Sequence, residues 1–292
     1  MKNACYIILA GSLWGIISIF VSILNAAGFH SLQCVEIRSF FTALLLFLYL
    51  FLTDRHKLKI RIRDIPYFIG TGIFSIVFFN YCYFEAINVT GSAAVPALLL
   101  YTAPIFVMVL SAIFFHESVT VPKLIALAMT FIGLGFVTGA FSGEETLSVK
   151  VLILGLGAGF GYALYSIFGK CIVGKYDAST ITFYTFVIAA IGTLPISGIT
   201  ENITQLFQIS SLLSALGLAL FSTVLPFLFY TKGLSGIDAG KASILATVEP
   251  FVAAIVGALF FHEQFTTSKV IGMLLIVFAI VYLNIGGQKV KQ

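Results

Sequence analysis

Ten apolar stretches, each about as long as a bilayer-spanning helix, follow one another along this chain with only short polar breaks between them. They are read at residues 4–26, 31–52, 65–86, 93–115, 121–141, 150–172, 179–199, 210–230, 240–261 and 268–286. Ten such runs occupy nearly all of the 292 residues, so no length remains for a water-soluble domain. The charged fraction agrees, at 10% against the roughly 25% that clothes a soluble globule. The expected fold is an all-α integral membrane protein of ten transmembrane helices, with the lipid bilayer as its partner. The first run is as long as a span and has one basic residue, Lys2, ahead of it, so it is expected to stay in the membrane and not to be cleaved.

Basic residues near helix ends stay on the cytoplasmic side. With the N-terminus placed inside, 13 Lys and Arg fall on the inner segments and two, Lys150 and Lys269, on the outer ones, while Arg38 lies within the second span. The segment Asp54 to Asp64 alone holds Arg55, Lys57, Lys59, Arg61 and Arg63. The expectation is a multi-pass protein of the cytoplasmic membrane with both termini cytoplasmic, the Arg61 loop inside and the Glu144-Glu145 loop outside. The basic residues form no single patch, so no nucleic-acid partner is implied.

An internal repeat constrains the topology further. The segment PIFVMVLSAIFFHE from Pro104 matches PFVAAIVGALFFHE from Pro250 at an offset of 146, and the offset continues through Thr120/Thr266 and Lys123/Lys269. It also pairs Gly11 with Gly157 and Gly15 with Gly161. Apolar matches between membrane helices come cheaply, but His116-Glu117 against His262-Glu263 does not, in a chain with four His and twelve acids. Two copies of five helices are implied, 1–142 and 150–286, with 287–292 as a cytoplasmic tail. Because five is odd, the second copy enters the membrane in the opposite sense, an inverted repeat of the kind that suits alternating access.

Trp14-Gly15 in the first span, Arg38 in the second, the stretch AAVPALLLYTAP from Ala93 to Pro104, the HE pair after the fourth span and Glu249-Pro250 in the ninth resemble the EamA family of the drug/metabolite transporter superfamily. The resemblance covers about residues 4–286. It implies a ten-helix carrier of small metabolites, often amino acids and often outward, with a central cavity lined largely by the first, third, fourth, sixth, eighth and ninth helices. Arg38 meets Tyr184 in the other copy, so any role it has belongs to one half.

Glu249 lies mid-helix, where an ionised carboxylate costs about 2.5–3.5 kcal/mol on insertion scales. Either it faces an aqueous cavity, binding an amine or taking up a proton as the carrier turns over, or it accepts hydrogen bonds and fixes packing. Pro250 beside it removes a backbone donor, and a helix kink is expected there and at Pro104. Trp14, Asn80, Tyr101, Tyr162 and Tyr165 are candidate substrate-binding residues, since Tyr and Asn give a cavity apolar walls together with hydrogen-bond partners. Tyr83 and Tyr230 fall at the ends of their runs, where an aromatic belt is the stronger reading. Arg38 either reaches Glu85 as a gate at the outer mouth or snorkels to headgroups.

The GxxxG pairs Gly11/Gly15 and Gly157/Gly161 read as close helix packing. Cys5, Cys34, Cys82 and Cys171 lack CxxC spacing and read as small apolar fillers. The HE pairs lack the second His of a zinc-protease motif and read as span terminators, and no GxxxxGK[ST] loop is present. No cofactor is expected. The leading reading is a secondary transporter, an exporter of amino acids or similar small polar metabolites, with protons as a candidate coupling ion; the sequence leaves its oligomeric state open. The alternatives are a small-cation multidrug exporter, which would want a carboxylate in the first span, an integral-membrane lipid-modifying enzyme, which would want an Asp or His cluster at one face, and a non-transporting membrane partner.

Overall fold

The computed structural model describes residues 2–142 and 148–289 of the chain. Glu144, Glu145 and tail residues 290–292 lie outside the described residues, and the segment expected to be a tail from 287 begins as helix, which runs on to Lys289. Among the described residues, ten helices are long and apolar enough to cross a membrane. They are α1 (Lys2–Ala26), α2 (Ser31–Thr53), α3 (Ile62–Thr90), α4 (Ala94–Phe115), α5 (Val121–Thr138), α6 (Val149–Ile172), α7 (Ala178–Ser197), α8 (Ile209–Leu234), α9 (Ala239–Phe261) and α10 (Thr267–Ile285).

Both expected belt tyrosines move inward because two helices outrun their apolar windows. α3 continues past the polar Asn88 to a left-handed Gly91, and α8 continues four residues past Tyr230. Tyr230 is 3% exposed and bonded to Ser166, and Tyr83 lines the central cavity, so neither belongs to an interfacial belt.

Five of the ten helices are interrupted. α1 has a turn at Gly15-Ile16, between Trp14 and Ile17. α3 and α8 each pass through a π-helical segment, at Gly70–Val77 and Leu220–Val224. α4 and α9 break at Tyr101-Thr102 and at Thr247, a few residues ahead of Pro104 and Pro250. The physical reason is the missing proline donor: the carbonyl four residues earlier loses its helical partner, and the helix restarts with the proline in its first turn. The π segments and the Pro-linked breaks fall at matching places in the two halves.

Packing follows small residues. At Gly11 an added Cβ would stand 2.6 Å from the Ala246 carbonyl oxygen of α9, and at Gly159 it would stand 2.9 Å from the Leu99 carbonyl oxygen of α4. These are the close approaches that membrane helices make where lipid supplies no hydrophobic drive. α1 thus packs on α9 as α6 packs on α4, and α1 packs on α8 as α6 packs on α3. α5 pairs with α10 and α2 with α7. The pattern is unchanged when each helix is exchanged for its counterpart five places along.

Candidate functional site

An even number of spans puts both ends of the chain on one face, the terminal face. The loop before α9 lies there, with Gly236 close against Asn3. The other face carries the α1–α2 turn, where Asn202 bonds Gly28 and Gln33 bonds Gly198.

A cavity of about 790 Å³ opens on that second face. Its mouth is formed by Ser31, Ser92, Ala93, Thr138, Glu263 and Lys269, and its floor by Trp14, Tyr162, Phe227, Glu249 and Pro250. Interrupted helices build this floor. The turn after Trp14, the break at Tyr101 and the break before Glu249 are flanked by lining residues, where irregular backbone is tolerated because it borders a cavity, and the π segment of α3 ends just short of Phe79 and Asn80 in the wall.

Five of the six expected substrate-binding residues, Trp14, Asn80, Tyr101, Tyr162 and Glu249, stand in this wall. Tyr162 Oη donates to Glu249 Oε2 at 3.4 Å, and Tyr101 is turned to the same carboxylate. Asn80 spends one amide donor on the Ile76 carbonyl at 2.7 Å, which patches the π segment. The sixth, Tyr165, lies beneath the cavity. It is 5% exposed, packs edge-on against Phe227 at 4.9 Å and bonds Thr231 at 2.7 Å. With Trp14, Phe227, Tyr230 and Phe186 it forms an aromatic layer that closes the cavity toward the terminal face.

Arg38 stands in the cavity wall, 7% exposed, with Nε and Nη2 unbonded. It interacts electrostatically with Glu249 across the chamber, yet the two are not among the ion pairs within 4.0 Å in the described residues. Glu85 takes a hydrogen bond from Asn88 and is not in the cavity wall. In this conformation Arg38 and Glu85 form no ion pair. Their equal depth in sequence placed them together; the half-buried acid that shares a space with Arg38 is Glu249, 211 positions along the chain, and no local spacing could signal that.

The terminal face is sealed by charge. Glu117 accepts backbone N–H bonds from Ala239 at 2.9 Å and Gly240 at 3.3 Å, the first amides of α9. Lys170 stands 3.8 Å from Glu117 and donates to the carbonyls of Leu234 and Ile237 at 3.0 and 2.5 Å. Lys123 pairs with Asp238 at 2.9 Å. A second concavity, about 870 Å³, lies at this face among Lys57, Lys59, Lys175, Asp177 and Lys232. It lies between the loops of this face and the ends of α2, α7 and α8, away from Arg38 and Glu249. Asp177 beside Lys57 holds that ammonium above the usual lysine range, first by the hydrogen bond and then by charge.

The comparisons with known proteins agree with this architecture. The model of the EamA-like transporter family matches residues 1–139 and again 149–285. A protein of Archaeoglobus fulgidus named an uncharacterized transporter is 30% identical over 270 residues, covering 91% of this chain and 90% of that protein. A second from the same organism is 26% identical, covering 96% and 98%. The uncharacterized transporter YdfC of Bacillus subtilis is 29% identical, covering 72% and 68%. A solved crystal structure has the same fold, with a TM-score of 0.80 at 14% identity and 99% of both chains covered. The chain is a multi-pass membrane protein and belongs to the EamA-like transporter family.

Proposed function

We propose that this protein is a secondary transporter that exports amino acids or similar small polar metabolites across the cytoplasmic membrane by alternating access. The observation that carries the reading is the chamber with an unpaired, buried guanidinium and a half-buried carboxylate in its walls, one from each half of the chain. A free molecule bearing both a carboxylate and an ammonium fits between them, and the Trp14, Tyr101 and Tyr162 rings give it apolar walls. Charges left apart at such depth are costly unless something arrives to complete them.

The halves 1–142 and 150–286 are read as an inverted repeat, supported by the odd helix number and by the exchange-invariant packing. The basic asymmetry puts the terminal face in the cytoplasm, so the open mouth faces outward and the Glu117 seal is the inner gate. On closing outward and opening inward the same chamber would load from the cell. Glu249, faced by Arg38, Tyr83, Tyr101 and Tyr162, is the candidate proton carrier. The small-cation exporter is the second reading; it is disfavoured by Arg38, whose charge repels a cargo that is only cationic. The names of the relatives favour transport over a lipid-modifying enzyme.

A survey of metabolites outside cells that overproduce the protein tests this. The expected result is accumulation of one or a few zwitterions, lost with Glu249→Gln at equal protein level in the membrane. Accumulation of cationic drugs in place of zwitterions would favour the second reading, and a profile identical to cells without the protein would overturn export.

A further inference from the structure

The His-Glu pairs end equivalent helices and have so far been given only one role between them. His116 and His262 both take the left-handed conformation, with φ of 54° and 56°, and the next backbone N–H in each case returns to the carbonyl six residues earlier, from Glu117 to Ser111 and from Glu263 to Gly257. The backbone therefore aims both glutamates in the same local way. Their carboxylates do different things. Glu117 holds Ala239 and Gly240. Glu263 stands in the open mouth, 2.7 Å from Lys269, and its carboxylate rests where a Cβ on Gly257 would come within 2.9 Å of it.

The offset of 146 maps Ala239 and Gly240 onto Ala93 and Ala94, which border that same mouth. The Ala94 N–H is held by Ser92 Oγ at 3.2 Å, and Ser92 occupies the position equivalent to Asp238. Resting on the inverted-repeat carrier reading, we propose that Glu263 is the outer latch of the transporter. When the mouth closes, its carboxylate leaves Lys269 and takes the N–H groups of Ala93 and Ala94, as Glu117 takes those of Ala239 and Gly240 while the inner side is shut.

The two latches are unequal. The inner one is reinforced by Lys170 and by the Lys123–Asp238 pair. At the outer one Leu24 stands in the place of Lys170 and Ser92 in that of Asp238, so Glu263 acts alone. The empty carrier therefore rests with its mouth open outward, and the inner latch must be weakened before the outer one governs the population.

The test uses the full chain in lipid nanodiscs, its four native cysteines replaced, with spin labels at Val89 and Gln264 on the two sides of the mouth. A wide separation is expected for the parent. Glu117→Gln, which replaces one of the two accepting oxygens, Oε1 for Ala239 and Oε2 for Gly240, by an NH2 donor, raises the ratio of closed to open mouths by roughly tenfold, the usual size of coupling between states. Adding Glu263→Gln to that variant returns the wide separation. Gly257→Ala keeps both carboxylates and crowds Glu263 out of its open-state position, and it too raises the closed fraction, but only while Glu263 is present. Thermal unfolding of each sample confirms that it is folded. An unchanged distance in Glu117→Gln, or a double variant that stays closed, overturns the latch. Labelling of the cavity from the wrong side of the membrane would overturn the carrier reading instead, so the two failures are distinguishable.

Discussion

At one end of the central chamber Glu117 is bound by two backbone amides and flanked by Lys170; at the other, its counterpart Glu263 stands in an open mouth beside Lys269. The residues correspond and the local backbone is the same, so the difference lies in which partner helix has come within reach. That is how two packings of one design can be nearly equal in energy. The proposed cargo site teaches the reverse. Its two charges have no counterparts, since Arg38 meets Tyr184 and Glu249 meets Ala103 across the repeat. In the proposed carrier, symmetry would supply the motion and departures from symmetry the chemistry.

The largest effect is expected where symmetry is broken. Arg38→Ala removes the cationic end of the chamber and leaves Glu249 as a half-buried, poorly compensated acid, so export falls to the level of cells without the protein; an efflux assay with the identified cargo checks it. Next comes the packing comparison. Gly11 and Gly157 are equivalent, but a Cβ at Gly11 meets backbone at 2.6 Å, whereas at Gly157 the nearest atom is the Cys82 sulfur at 3.3 Å. Gly11→Ala should lower stability by about 1–3 kcal/mol, the usual size for overpacking. Gly157→Ala should cost less, as read by thermal unfolding in detergent.

Smaller still is the contrast between the equivalent lysines. Lys123 is nearly buried against Asp238, while Lys269 meets Glu263 at an exposed mouth. Lys123→Ala should shift mouth closure measurably by the spin-label distance. Lys269→Ala should stay within about 1 kcal/mol of the parent, as exposed pairs do. The smallest effect is expected at Glu85, which bonds Asn88 outside the cavity: Glu85→Ala should leave export close to that of the parent, and a loss as large as that of Arg38→Ala would restore Glu85 as Arg38's partner.

Length and hydropathy made the ten helices legible to within a few residues, because a span is a property of a local window. The HE motif is what pointed to a repeat, because His and Glu are rare in this chain. The positions of Pro104 and Pro250 announced helix breaks, though the breaks open ahead of the prolines, where the carbonyls are left without donors. What stayed hidden depends on contacts between distant segments. Tyr162 and Tyr165 look alike in sequence and share nearly one helix face, yet three residues advance about 4.5 Å along the axis, which puts one in the chamber and the other under it. The sharing of a chamber by Arg38 and Glu249, and the capture of the Ala239 and Gly240 amides by Glu117, likewise exist only once the halves are packed.

Side-specific labelling of a single cysteine at Ala97, in the chamber wall, tests the central claim most directly. The parent carrier, freed of its native cysteines, is treated with a membrane-impermeant maleimide in right-side-out and in inverted vesicles. Rapid reaction is expected from the outer side and little from the cytoplasmic side, with the cytoplasmic rate rising when Glu117→Gln is introduced. Rapid reaction from the cytoplasmic side in the parent, with none from outside, would contradict an outward-open chamber sealed by Glu117.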